Sequence, residues 1–378
     1  MRILTVVGAR PQFIKAAPVS RVLRQRHTEL LVHTGQHYDD AMSGAFFRDL
    51  EMAPPDLNMG VGGGSHGAMV GEMLRRLEPV LLEHEPDGVL LYGDTNSTLA
   101  GAVAGAKVMY RDGRRPWLAH VEAGLRSFNR EMPEERNRVV ADHLADLLLA
   151  PTRVAMQHLA REGLSERAEL VGDVMVDAFD WALARAAELR PEATRGHDRY
   201  VLLTLHRAEN VDEPARLAAW LDALRAEVPV IFPAHPRTRA AMEHGAISPP
   251  ENITVIDPVG SLEMVALLRD ATLVATDSGG LQKEAYLAGV PCVTLRHETE
   301  WTETLDAGWN RLANPTPGML HNVLTDPAFL RRDRPRPPLF GPGDAAGRIV
   351  ASLERLDAQS TNSDRRLPQE RRTKELPA

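Results

Sequence analysis

Short apolar runs rich in valine, isoleucine and leucine alternate along the chain with segments whose apolar residues recur every three or four positions. This rhythm predicts buried strands followed by amphipathic helices. In the first half, strands are predicted at 3–7, 30–32, 88–92, 117–121 and 169–172. Helices are predicted from about Phe13 to Leu23, at 42–50, 67–82 and 139–148, and through Trp181 to Leu189. A segment mixing proline, glycine and charge (190–199) then reads as a linker. The rhythm restarts with strands at 200–204, 228–232, 253–256, 271–275 and 291–295, and a helix over 213–226. Strand-helix alternation of this kind predicts an α/β fold of two doubly wound, Rossmann-like domains with parallel sheets, right-handed crossovers and a cleft between them. The expected domains are 1–189 and 190–343. A helix over 344–357, capped by Asp344, is expected to return to the first domain, and 358–378 reads as a disordered tail.

A chain of 378 residues is too long for one ordinary core and fits this two-domain reading. The net charge of −8 and the lack of a basic face argue against nucleic acid as a main partner. Cys292 is the only cysteine, set in an apolar run, so it reads as a buried thiol with no disulfide and implies a cytoplasmic setting. The apolar run after Met1-Arg2 stops at Gly8-Ala9-Arg10-Pro11, too soon for a signal peptide, and no run reaches membrane length. Of 44 basic residues only four are lysine, which singles out Lys15.

The chemistry gathers where strands end. Thr276-Asp277-Ser278-Gly279-Gly280 joins a strand to a helix, with Ser278 as the expected N-cap and two glycines that let a ligand approach backbone N–H groups. That arrangement suits phosphate, and Glu284, one turn further on, is placed to accept hydrogen bonds from ribose hydroxyls. Arg10 and Lys15 follow the first strand, Asp94 the 88–92 strand, Glu122 the 117–121 strand, and His206 the 200–204 strand. In open α/β sheets that edge binds ligands. Asp94 has a plainer reading as a helix N-cap, and the charges from Glu122 to Asn137, including Glu134, one as a solvated loop. Three carboxylates beside a diphosphate repel it, which makes sense where protons are moved on a sugar.

Val7-Gly-Ala-Arg-Pro-Gln12, Gly93-Asp-Thr-Asn96, His120-Val-Glu-Ala-Gly-Leu-Arg126, Met132-Pro-Glu-Glu135, Leu205-His-Arg-Ala-Glu-Asn210 and Asp277-Ser-Gly-Gly280 resemble, in family order over roughly 1–357, the non-hydrolysing UDP-N-acetylglucosamine 2-epimerases. The resemblance implies a GT-B-like fold, a cytoplasmic homodimer serving polysaccharide biosynthesis, a UDP-sugar substrate, and neither metal nor nicotinamide. It assigns catalysis to Arg10, Lys15, Asp94, Glu122, Glu134 and His206. UDP binding falls to Arg10, Lys15, His206, Met264, Ser278, Gly279, Gly280 and Glu284. The implied reaction eliminates UDP across C1 and C2, giving a 2-acetamidoglucal, and adds it back with inversion at C2.

Two departures matter. Of a second, regulatory nucleotide-sugar site, Gln36, His37, Arg207 and His235 are kept, but Asp39 and Gly64-Ser65-His66 stand where the family has glutamine and an Arg-Gln pair. Thr299-Glu-Trp-Thr-Glu303 and Gln282-Lys-Glu284 instead resemble the branch acting on UDP-2,3-diacetamido-2,3-dideoxy-glucuronate. A hydrolysing epimerase, a GT-B glycosyltransferase and a non-catalytic nucleotide-sugar sensor are the alternatives.

Overall fold

Buried aliphatic runs form the sheet of the first unit in a computed structural model that describes residues 1–36, 47, 50–225, 228–313 and 319–364. The strands are β1 (Arg2–Val7), β2 (Thr28–His33), β3 (Leu57–Asn58), β4 (Gly88–Tyr92), β5 (Trp117–Val121), β6 (Leu147–Ala150) and β7 (Ala168–Leu170). They pair in parallel in the order β3-β2-β1-β4-β5-β6-β7. Every residue of β4 and β5 is buried, as expected of strands covered by helices on both faces. Those helices are α1 (Arg10–Leu23), α2 (His66–His84), α3 (Asn96–Lys107), α4 (Pro133–Leu144), α5 (Arg153–Arg161) and α6 (Val174–Arg185). The β1-α1 turn is held by Gln12, whose Oε1 accepts from the N–H groups of Gly8 and Ala9 at 2.8 and 3.1 Å. A Cβ on Gly8 would lie 2.1 Å from the hydroxyls of Ser97 and Thr34, so only glycine fits there.

The second unit repeats the plan. Its strands are β8 (Val201–Thr204), β9 (Val230–Pro233), β10 (Ile253–Ile256), β11 (Leu273–Thr276), β12 (Cys292–Thr294) and β13 (Asn310–Leu312). They form a parallel sheet in the order β10-β9-β8-β11-β12-β13. The helices used below are α7 (Ala208–Val211), α8 (Pro214–Ala223), α9 (Pro236–His244), α10 (Ser261–Asp270), α11 (Gly279–Ala288) and α12 (Thr302–Asp306), followed by α13 (Met319–Leu324) and α14 (Pro327–Leu330). Beyond them runs a strap in which Arg332, Arg334 and Arg336 alternate with Asp333, Pro335 and Pro337. Arg332 donates to the carbonyls of Arg269, Ala288 and Gly289 at 3.0, 3.1 and 2.9 Å, Arg334 to Gly308 at 2.7 Å, and Arg336 to Tyr286 at 2.7 Å. These carbonyls lie at or just past the C-terminal ends of α10, α11 and α12, where a positive charge is favoured.

The chain passes between units inside α6 and again at the strap's end: one unit comprises Met1–Ala178 with the chain from Phe340 onward, the other Phe179–Leu339. The crossing therefore lies before the 190–199 segment, because α6 serves both cores, with Val174 in one and Phe179 in the other. Returning to the first unit, α15 (Ala345–Asp364) packs Ile349, Val350 and Leu353 into a core with Phe13, Leu31 and Trp117. It runs seven residues past the predicted Asp357, because a helix already nucleated extends at little cost. Its first N–H groups, at Ala345 and Ala346, bond to Asp177, each at 3.1 Å, while Asp344 pairs with Arg348.

The helix predicted at 139–148 is corrected at both ends. Pro133 at the first helical position and Glu134 and Glu135 in the first turn start α4 earlier, and Leu147–Ala150 leaves the helix to pair with β5 and β7. Neither β3 nor β13 was predicted. His37, Asp39, most of the helix expected over 42–50 and the tail beyond Asp364 lie outside the described residues. No helix among the described residues is long and apolar enough to cross a membrane.

Candidate active site

In both sheets the strand order reverses at the first strand, between β1 and β4 and between β8 and β11; Arg10, Asp94, His206 and Ser278 follow the carboxyl ends of those four strands, and Glu122 that of β5. In the first unit Lys15, in the second turn of α1, pairs with Glu122 at the end of β5, both largely buried. Burial works against the ammonium, but Glu122, hydrogen-bonded to it, together with the charges of Asp94 and Asp173, holds Lys15 above its ordinary value. Glu122 adopts a left-handed backbone, φ 70°, which disfavours a side chain with a Cβ and is kept here by its surroundings. Gly93, also left-handed at φ 61°, brings its α-carbon against the pair: an added Cβ would lie 3.2 Å from Glu122 Oε2.

Asp94 is not the N-cap of α3. Thr95 takes that place, accepting from the Thr98 N–H at 3.4 Å, and the Asp94 carboxylate pairs with Arg138 of α4. Arg138 also reaches Glu135 at 3.0 Å. Glu135 is buried and accepts from Ser127 and Phe128, so it fastens the 122–132 loop. Its neighbour Glu134 is half-buried in the first turn of α4, with no hydrogen bond or ion pair of its side chain among the described residues. Arg10 is exposed at the start of α1. Sequence reading missed Arg138, although its place four residues after Glu134 puts both on one helical face.

In the second unit, a cavity of about 380 Å³ is lined by His206, His235, Met264, Ser278, Gly280 and Glu284, with Thr204, Leu205, Pro233, Pro258, Val259 and Leu281. Ser278 caps α11, its Oγ accepting from the Leu281 N–H at 3.4 Å, and the helix begins with Gly279 and Gly280, whose N–H groups have no carbonyl to bond within it. Gly279 stands beside the cavity, its carbonyl accepting from Trp301 Nε1 at 2.8 Å. Asp277, fully buried, accepts from the N–H groups of His206 and Arg207 at 3.1 and 2.9 Å and from Asn210 Nδ2 at 3.1 Å. Burial opposes its charge, yet the hydrogen bonds from His206, Arg207 and Asn210 hold its carboxyl below the ordinary value. It therefore sets the turn bearing His206 against the Ser278-Gly279-Gly280 turn, a role between strands far apart in sequence that sequence did not reveal. Burial pushes Glu284 up to about 7, with Lys283 only partly opposing it.

Of the residues expected of a regulatory site, Gln36 is in the first unit, its Oε1 accepting from the Ser97 N–H and hydroxyl at 3.2 and 3.0 Å. Arg207 and His235 are in the second; Arg207 Nε donates to the Asp277 carbonyl at 3.0 Å, and His235 begins α9.

Two parallel doubly wound units, one edged with carboxylates and the other with a phosphate-type turn, define a nucleotide-sugar enzyme of the two-domain class. The model of the UDP-N-acetylglucosamine 2-epimerase family matches residues 21–354, and the chain belongs to that family. A UDP-N-acetylglucosamine 2-epimerase homolog of Methanococcus maripaludis is 45% identical, with 94% of this chain and all of that one aligned. The UDP-2,3-diacetamido-2,3-dideoxy-D-glucuronate 2-epimerase of Pseudomonas aeruginosa is also 45% identical, with the same coverage of 94% and 100%. Among solved structures, the UDP-GlcNAc 2-epimerase of Methanocaldococcus jannaschii is 38% identical over 94% of this chain and 100% of that one. Its TM-score is 0.82, and 0.77 for the same enzyme in complex with UDP-GlcNAc and UDP.

Proposed function

We propose that this epimerase interconverts UDP-N-acetylglucosamine and UDP-N-acetylmannosamine by eliminating UDP and adding it back. The observation that carries the reading is the acidic edge of the first unit: Glu122 paired with Lys15, Asp94 paired with Arg138, and Glu134 without a partner among the described residues. A base takes the C2 proton while the bond from C1 to the diphosphate oxygen breaks, leaving UDP and the 2-acetamidoglucal. UDP then re-forms the bond at C1 as C2 gains a proton on its other face. Inversion needs proton-transfer groups on both faces, which Asp94, Glu122 and Glu134 divide between them. Charge growing on the departing diphosphate is met by Arg10, Lys15, His206 and the N-terminal end of α11 with Gly279 and Gly280; Met264 lines the nucleotide's cavity and Glu284 takes the ribose hydroxyls.

Epimerisation in D2O tests the chemistry: deuterium is expected at C2, and epimer formed without label refutes proton transfer there. UDP accumulating in place of nucleotide sugar would indicate the hydrolysing outcome. Epimer formed with no acceptor present separates the enzyme from a glycosyltransferase. A second reading, with UDP-2,3-diacetamido-2,3-dideoxy-glucuronate as substrate, is favoured by Trp301, which fastens its loop to Gly279, and by the Pseudomonas relative. Comparing kcat/KM for the two sugars decides between them. The family resemblance also supports a cytoplasmic homodimer acting in polysaccharide biosynthesis, for which light scattering of the purified protein reads the oligomeric state.

A further inference from the structure

Behind the acidic edge of the first unit, the buried side chains of His120, Asp142 and Arg126 and the partly exposed Glu162 form a network. His120 of β5, fully buried, places Nδ1 2.7 Å from Asp142 Oδ1 and Nε2 2.6 Å from the Gly93 carbonyl oxygen. Asp142 of α4, equally buried, turns its other oxygen to the Gly124 N–H at 3.0 Å and to Arg126 Nη1 at 2.7 Å. Arg126 binds both carboxylate oxygens of Glu162 at 2.7 Å, and His143 Nε2 stands 3.4 Å from the same group.

Hydrogen-bond chemistry fixes one proton of the ring. A carbonyl oxygen only accepts, so His120 Nε2 donates to Gly93. Asp142 meets His120 Nδ1 with one oxygen and accepts from an amide and a guanidinium with the other.

What this network holds is backbone. Through His120 one oxygen of Asp142 fixes the carbonyl of Gly93, the residue before Asp94. The other fixes Gly124, left-handed at φ 81° and two residues after Glu122. The helix that carries Asp142 also carries Arg138, on Asp94, and Glu134; spacings of four place Glu134, Arg138 and Asp142 on one face. All three carboxylates of the proposed chemistry thus refer to one buried pair.

We propose that His120 and Asp142 are positioning residues of the epimerase, a buried hydrogen-bonded pair that keeps Asp94, Glu122 and Glu134 in register. The proposal rests on the function assigned above. Two measurements test it. In the wild-type protein, long-range proton-nitrogen correlation of the histidine ring in contact with Gly93 should show hydrogen on the nitrogen facing that carbonyl; a bare nitrogen there overturns the proposal. In His120→Gln and Asp142→Asn, kcat is expected to fall about 10- to 100-fold, as for misplaced catalytic groups, with UDP affinity within about 2-fold of wild type. Turnover within about 3-fold of wild type in a folded variant, or UDP affinity falling in step with kcat, overturns it. If neither variant folds, the wild-type ring decides. Absence of epimerisation by the wild type would instead refute the functional reading and leave the ring measurement to judge the network.

Discussion

Glu284 offers a test that separates nucleotide binding from chemistry. Burial pushes its carboxyl from an ordinary 4.5 to about 7 in the unliganded protein, so at pH 6 the group is mostly protonated. Ribose hydroxyls donating to it favour the ionised form. Binding should therefore expel its proton. If binding returns Glu284 to its ordinary value, affinity falls about 10-fold from pH 8 to pH 6, or about 1.4 kcal/mol, with about 0.9 proton released at pH 6. A nucleotide sugar is the right titrant, because its diphosphate diester does not titrate in this range as the terminal phosphate of UDP does. Calorimetry in two buffers of different ionisation enthalpy counts the released proton. His206 lines the same cavity, so the comparison is with Glu284→Gln, in which the 10-fold trend should vanish. Without ligand the sign is that of a raised acid: the stability Glu284 contributes is full below 4.5 and is lost as pH rises through about 7. A Glu284→Gln variant that keeps the wild-type pH dependence and proton release would refute this account.

Three further outcomes follow from the same geometry. Glu122→Gln should lower kcat by about 10²- to 10⁴-fold and slow deuterium entry at C2 equally, with UDP affinity, measured by calorimetry, little changed. Asp277→Asn turns an amide N–H toward the donors of His206, Arg207 and Asn210 and should cost about 2–4 kcal/mol in urea unfolding, along with UDP affinity. Because Asp277 is held below 3.8, its stabilisation is present above that pH and lost as pH falls through its lower folded value, so the difference from wild type should narrow in acid. With Gln36 engaged by Ser97 and His66 by Asn96, conversion of the manno-configured nucleotide should start without a lag; a lag abolished by a trace of the gluco epimer would contradict this.

What could be read from sequence was local. Ser278 as cap, the turn after β1 and the strands of both sheets depend on neighbours a few residues away, and periodicity and turn chemistry report such neighbours directly. Asp94 shows the limit: sequence offers it as a cap for an amide a few residues on, whereas its pairing with Arg138, 44 residues on, depends on α4 packing beside the end of β4. His120 and Arg126 lie in a motif quoted above, yet their partner Asp142 is an unremarkable acid on a helix. Asp277 was equally silent, since its work is to satisfy amides brought alongside by a parallel strand 70 residues earlier. The start of α4 was readable and missed: Pro133 and the acids after it mark a helix N-terminus, but so many charges resembled a loop.

The arginine strap and α15 bear on the order in which the chain is made. Arg332, Arg334 and Arg336 close helix ends that emerge from the ribosome well before them, and Ile349, Val350 and Leu353 complete a core begun by Ile3. The second unit has all its parts once Leu339 is made, whereas the first waits for α15. The unit begun first is therefore finished last, and a nascent chain stopped near Leu330 holds every residue of the second unit's cores but not of the first's.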